Sequence, residues 1–130
     1  MATNAQATDS PTVLIFGDSL SAGYGIDVDQ SWAALLLQRL EEQGYEHRVV
    51  NASISGETTE GGAARIDSAI SAFSPDLIIL ELGGNDGLRG FPPVRIKQNL
   101  EAIARRARDS GAGVVLLGIR IPTNYGARYT

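Results

Sequence analysis

The stretch Ile15-Phe16-Gly17-Asp18-Ser19-Leu20-Ser21-Ala22-Gly23-Tyr24-Gly25 decides how the rest of the chain is read. The apolar run Val13 to Phe16 does not alternate with polar residues, so it reads as a strand buried on both faces. It stops abruptly at a Gly-Asp-Ser turn. That turn delivers one hydroxyl, Ser19, to the carboxyl end of a buried strand, which is the end of an open α/β sheet where ligands sit.

Outward from this turn, strand and helix patterns alternate. Ser31 suits the cap of a helix whose apolar stripe is Trp32, Leu35, Leu36 and Leu40, with Gly44 closing it. Arg48 to Asn51 reads as a second strand. Ile66, Ala69, Ile70 and Phe73 repeat at helical spacing and Pro75 ends that helix. Leu77 to Leu82 is a third strand, apolar except for Glu81. Pro92 and Pro93 open a third helix that turns Leu100, Ile103, Ala104 and Ala107 inward. Gly111 and Gly113 bracket its exit, and Val114 to Leu117 is a fourth strand. The order β-α-β-α-β-α-β predicts a doubly wound α/β fold around a parallel sheet.

The chain has 130 residues, enough for one domain with a core; 43% are apolar, 20% are charged and the net charge is −4. Its basic residues form no block, which argues against nucleic acid as a partner. No apolar run approaches the ~20 residues of a membrane span. With no cysteine there is neither disulfide nor thiolate metal site, and a single histidine cannot build a typical zinc site. No metal or other cofactor is expected. Residues 1–11 read as a flexible polar tail without the apolar segment of a signal peptide, and residues 12–130 as the domain. A mature exported chain restarted at Met1 and a plain disordered tail both fit that start, so a periplasmic or secreted location is one expectation and a cytoplasmic one the other.

Three loops follow three strands: Gly17 to Leu20, Asn51 to Thr58, and Gly83 to Gly87. Parallel strands gather their carboxyl ends on one rim, so these loops should meet. Acyl transfer needs an attacking oxygen and donors aimed at the developing oxyanion. Ser19 offers the oxygen; the N–H groups of Ser19 and Gly56 and the side-chain amide of Asn85 offer the donors. Asp18 adjoins the nucleophile and is better suited to bonding local N–H groups than to serving as a triad acid. His47 begins the second strand, at the opposite end of the sheet. Four or five residues at ~3.3 Å each put it on the order of 15 Å from Ser19, too far to act as a base. Leu88, Phe91, Pro92 and Tyr125 lie near the rim and suit an apolar groove.

These residues resemble the SGNH (GDSL) hydrolase superfamily. Its first block is matched by Gly17-Asp18-Ser19-Leu20, its second by Gly56, and its third by Gly83-Gly84-Asn85-Asp86. Gly17 to Tyr24, Asn51 to Gly56, Glu81 to Phe91 and Arg120 to Tyr125 are similar to the thioesterase I, lysophospholipase and arylesterase branch. The resemblance implies a flavodoxin-like, three-layer α/β/α fold with five parallel strands. It also implies hydrolysis of small-molecule esters or thioesters through an acyl-serine, with Ser19, Gly56 and Asn85 as catalytic residues. The family's fourth block, Asp-x-x-His, is absent from the 130 residues. Residues 12–130 are therefore expected to be an incomplete SGNH hydrolase domain with four strands, lacking the fifth strand and the closing helix. Three alternatives stay open beside the ester hydrolase: a fragment that binds acyl groups without cleaving them, one half of a split or nicked enzyme completed by a second chain, and a glycan deacetylase. An uncovered fourth strand is expected to attract a complementary C-terminal fragment or another copy of the chain.

Overall fold

The structure, a computed structural model, describes residues 10–118. Strand β1 (Thr12–Gly17) runs into a one-turn helix α1 (Ser19–Ala22), and a 3₁₀ turn (Val28–Gln30) precedes α2 (Trp32–Glu42). Then follow β2 (Arg48–Asn51), α3 (Thr59–Phe73), β3 (Leu77–Glu81), α4 (Gly84–Leu88), α5 (Pro93–Asp109) and β4 (Gly113–Leu116). Every element read from the sequence is present. The one-turn helices α1 and α4 are additions, each too short to show periodicity.

The described strands form one parallel sheet in the order β2-β1-β3-β4. The chain steps from β1 to β2 on one side, then returns to place β3 on the other. The crevice between the ends of β1 and β3 is thus the topological switch point, where open α/β sheets bind ligands. Register is explicit: Gly17 pairs with Glu81 and Ile15 with Asn51. The opposite ends of β1 and β3 are clamped by Asp76, whose carboxylate accepts the Thr12 N–H at 2.8 Å while its own N–H donates to the Thr12 carbonyl at 2.9 Å.

All of β1 is buried. Its period of two sends Leu14 and Phe16 to the face covered by α3 and α5, where they meet Ile66, Ala69, Ile78, Leu80, Leu82, Ile103 and Ala107. Gly62 lets α3 approach this closely: a Cβ there would lie 2.6 Å from Leu82 Cδ1 and 3.2 Å from Ile103 Cδ1. Helix α2 lies at the β2 side. Ser31 caps it through Ala34 N–H, and Gly44 follows it with φ +82°. Its inward stripe is Ala33, Leu36, Leu37 and Leu40, a one-residue rotation from the expected stripe, and Leu35 is half exposed. The small Ala33 is the buried residue of this helix, and Trp32 Nε1 donates a hydrogen bond to Ser21 Oγ.

Full burial of every strand is not observed. Strands β2 and β4 are the edges among the described residues, and Val115 and Leu116 are 43% and 56% exposed. Residues 1–9 of the expected tail and the Arg120 to Tyr125 segment lie outside the described residues.

Candidate active site

The turn after β1 is held in shape by its own side chains. Asp18 caps α1, its Oδ1 accepting the Leu20 N–H at 3.0 Å, as expected for an acid that fixes the turn. Gly23, at φ 79°, closes the helix through the Ser19 carbonyl. Ser19 is the first residue of α1 and only half buried. Among the described residues neither its N–H nor its hydroxyl has a hydrogen-bond partner. A partly accessible hydroxyl beside an N–H that bonds to no group among the described residues, at the switch point, is an arrangement open to a carbonyl substrate.

Three bonds lace the three rim loops to one another. The Ile54 N–H donates to the Gly17 carbonyl at 3.0 Å, joining the β2 loop to the β1 turn. The Asn85 side-chain amide donates to the Glu57 carbonyl at 3.0 Å, joining α4 to the β2 loop. The Asp18 N–H reaches Glu81 Oε1 at 3.3 Å, joining the β1 turn to β3. Asn51 adds a strut, donating from Nδ2 to the Ser21 carbonyl at 2.7 Å and accepting the Ser53 N–H at 3.2 Å.

Gly56 sits in a tight turn closed by Glu57 N–H on the Ile54 carbonyl, with φ +83° and open space where a Cβ would point. Its N–H donates to no group among the described residues. Asn85 uses one amide hydrogen on Glu57 and keeps the second. Its neighbour Asp86 is buried and accepts the Thr59 N–H at 2.8 Å and the Thr59 hydroxyl at 2.6 Å; Asn99 donates to that hydroxyl at 3.0 Å. The negative carboxylate stands at the amino end of α3, where the helix dipole favours it. Arg65 braces the same loop by pairing with Glu57 at 3.1 Å while its guanidinium stacks over Phe16 at 4.1 Å.

Glu81 is the residue whose role the sequence reading missed. The signal was present, since an acid in an otherwise apolar strand must find partners or stay neutral. It lies beneath the Ser19 turn, only 4% exposed. Burial raises its pKa from the ordinary 4.5 to about 7. The negative charge of Asp18 adds to the rise, and the hydrogen bonds from the Ser21 hydroxyl and Asp18 N–H oppose it.

His47 immediately precedes Arg48, which pairs with Thr12 at the far end of β1, and it stacks edge-on against Tyr45. It shares no rim with Ser19. A cavity of about 480 Å³ lies on the other flank, lined by Leu80, Leu82, Ile96, Leu100, Leu116 and Leu117 among others. Leu88, Phe91 and Pro92 do not line it, and Tyr125 lies outside the described residues. No described helix is long and apolar enough to cross a membrane.

A parallel α/β sheet in flavodoxin-like order, with a Gly-Asp-Ser-Leu turn at its switch point and a Gly-Gly-Asn-Asp helix beside it, defines the SGNH hydrolase class of fold. The chain belongs to the GDSL-like lipase/acylhydrolase family, whose model matches residues 15–130. It is 52% identical over 124 residues to esterase TesA of Pseudomonas aeruginosa, covering 95% of this chain and 62% of that protein. It is 44% identical over 124 residues to thioesterase 1/protease 1/lysophospholipase L1 of Escherichia coli K12, covering 95% and 58%. A crystal structure of TesA superposes with a TM-score of 0.88 at 54% identity, covering 91% of this chain and 66% of that one. The chain thus spans about three fifths of the length of these curated relatives.

Proposed function

We propose that this chain carries the nucleophile and oxyanion side of an acyl-ester hydrolase. Ser19 Oγ attacks the carbonyl carbon, and the carbonyl π pair moves onto oxygen. That oxyanion is held by the N–H groups of Ser19 and Gly56 and by the free amide hydrogen of Asn85. The alcohol or thiol leaves with a proton, and water then releases the acyl group from Ser19. One observation supports the reading: the Ser19 hydroxyl and the N–H groups of Ser19 and Gly56 have no hydrogen-bond partner among the described residues, and the loops that carry them are laced together at the switch point.

Ser19 must lose a proton to a base, and His47 is out of reach. The base is therefore proposed to come from residues outside 10–118 or from a second chain. Esters and thioesters are the proposed substrates, in keeping with the names of the relatives. A module that binds an ester without cleaving it is the second reading, favoured by the lack of a histidine near Ser19 among the described residues.

The test is p-nitrophenyl acetate hydrolysis by residues 1–130 and by the product of the same reading frame followed past codon 130, each beside its Ser19→Ala variant. The longer form is expected to hydrolyse the ester and Ser19→Ala to abolish it. The 130-residue form is expected to be orders of magnitude slower, because a neutral serine without a base is a weak nucleophile. Hydrolysis that survives Ser19→Ala refutes the nucleophile. Saturable ester binding with no turnover in either form establishes the second reading.

A further inference from the structure

Beneath the Ser19 turn lies a small buried polar network that the acyl-transfer chemistry does not itself use. Trp32 Nε1 donates to Ser21 Oγ at 3.1 Å. An indole N–H can only donate, so Ser21 accepts there and sends its own proton to Glu81 Oε1 at 2.6 Å. The same Oε1 accepts the Asp18 N–H at 3.3 Å. These two donors bracket Ser19 in the chain, one on the residue before it and one two residues after. Gly17 makes room for the carboxyl: a Cβ there would lie 2.7 Å from Glu81 Oε1 and 2.7 Å from Ser21 Oγ. The first glycine of the motif is thus required by the acid on the neighbouring strand. Glu81 Oε2 is buried with no hydrogen-bond partner. Oε1 is thus the oxygen that receives both donors.

We propose that Glu81 is the positioning residue for the nucleophile, its Oε1 holding the backbone before Ser19 through the Asp18 N–H and the side chain after it through the Ser21 hydroxyl. Glu81 touches no substrate and acts only through the turn it holds. The proposal rests on Ser19 being the nucleophile. What positions the turn is an acceptor at Oε1, not a charge. A glutamine supplies that acceptor and fills the Oε2 place with its amide nitrogen; a leucine of similar size supplies none.

The first measurement needs no activity: amide exchange of Asp18 and its neighbours, followed by NMR on the chain as it stands. Glu81→Leu is expected to speed Asp18 N–H exchange by about tenfold or more, the loss of one hydrogen bond to a charged or strongly accepting group, and Glu81→Gln to stay within about threefold of the parent. The second is steady-state kinetics at 15 °C on the ester-hydrolysing form, with near-UV circular dichroism confirming the fold. Glu81→Leu is expected to lower kcat by about 10- to 100-fold with KM within about twofold, and Glu81→Gln to recover kcat to within about threefold. Should Glu81→Leu not fold, Ser21→Ala removes one of the two pins and is expected to give a smaller loss of the same kind. The proposal is overturned if Glu81→Leu, or Ser21→Ala in its place, leaves both exchange and kcat within twofold of the parent. It is equally overturned if Glu81→Gln is as damaged as Glu81→Leu. Hydrolysis that persists in Ser19→Ala sinks the nucleophile assignment instead, and leaves the exchange result to report on the turn alone.

Discussion

Replacing Asp86 by alanine strips the acceptor from two buried polar groups of one residue. Thr59 is fully buried; its N–H and hydroxyl donate to the two Asp86 oxygens at 2.8 and 2.6 Å. Each donor left without a partner costs about 1–3 kcal/mol. A carboxylate at the first turn of α3 also contributes about 0.3–1 kcal/mol through the helix dipole. The sum is about 3–5 kcal/mol after allowing for partial relaxation, a large share of the ~5–15 kcal/mol that a domain has. At roughly 4 °C per kcal/mol for a domain of this size, the thermal midpoint should fall by about 12–20 °C. Asp86→Asn keeps an acceptor for the N–H and leaves the hydroxyl proton without one, so about half that loss is expected. Adding Thr59→Val to Asp86→Ala removes the orphan hydroxyl and should restore about 1 kcal/mol, a coupling that a double-mutant cycle reads directly. The measurement is thermal unfolding followed by far-UV circular dichroism at fixed pH and salt. A drop under about 3 °C for Asp86→Ala, or no coupling with Thr59→Val, refutes the view that this pair anchors α4 to α3. Because Asn85 precedes Asp86, kcat of the ester-hydrolysing form should fall along with stability.

Other outcomes follow from single contacts. Asn85→Ala should lower kcat of the ester-hydrolysing form by about 10²–10³-fold with KM little changed, the usual loss for one oxyanion donor; an equal rise in KM would make Asn85 a substrate-binding group instead. Gly62→Ala gains up to about 1 kcal/mol of helix propensity yet drives a Cβ to 2.6 Å from Leu82 Cδ1, so it should destabilise by about 1–2 kcal/mol net in urea titration. Glu81, with its pKa raised from 4.5 to about 7, holds a proton in the native state that the unfolded chain has released between those values. Its contribution is therefore fully present below about pH 4.5 and lost as pH rises through 7. Urea titrations should show stability falling across that window by a few kcal/mol at most, with Glu81→Gln flattening the slope. Leu116 is 56% exposed on β4, an edge strand among the described residues, so light scattering should show the 130-residue chain associating as concentration rises, with Leu116→Lys reducing that association.

What the sequence made legible, and what it hid, separates along physical lines. The four strands and three long helices were readable because burial imposes periodicity: Val13 to Phe16 of β1 are all apolar since both faces of the strand are covered, and Ile66, Ala69, Ile70 and Phe73 repeat because one helix face meets the sheet. Helix α2 misled by one residue because its buried residue is an alanine, Ala33, and a stripe drawn through the largest side chains passes beside it. Helices α1 and α4 have one turn each, so only their caps and glycines could announce them. The placement of Ser19, Gly56 and Asn85 on one rim followed from topology alone, since parallel strands end together. The lacing of that rim could not be read the same way. Glu81, Ser21 and Trp32 come from three different elements, as do Asp86, Thr59 and Asn99, and nothing local couples residues separated by 60 or 40 positions.

That lacing also explains why the turn's residues are the ones they are. On the proposed role of Ser19, its hydroxyl must project from a backbone that cannot shift when a substrate arrives, because a small displacement of the reacting atoms costs much of the rate. A one-turn helix cannot supply that rigidity from its own backbone bonds. It is supplied sideways: by the Asp18 carboxylate on Leu20, by Glu81 on Asp18 and Ser21, and by Asn51 on the Ser21 carbonyl. Gly17 is then fixed by the space the Glu81 carboxyl occupies, and Asp18 by the helix start it must cap. Both residues leading into the proposed nucleophile, Gly17 and Asp18, are accounted for by the scaffold around the turn, before any contact with a substrate is considered. Gly17→Ala tests this most directly. It leaves Asp18 and Ser19 in place yet presses a methyl to 2.7 Å from Glu81 Oε1 and 2.9 Å from the Glu81 carbonyl. The carboxyl must then move off the Asp18 N–H, so the exchange signature of Glu81→Leu should reappear in a protein whose Glu81 is intact. Asp18 exchange unchanged in Gly17→Ala would show that the turn holds its shape without the acid beneath it.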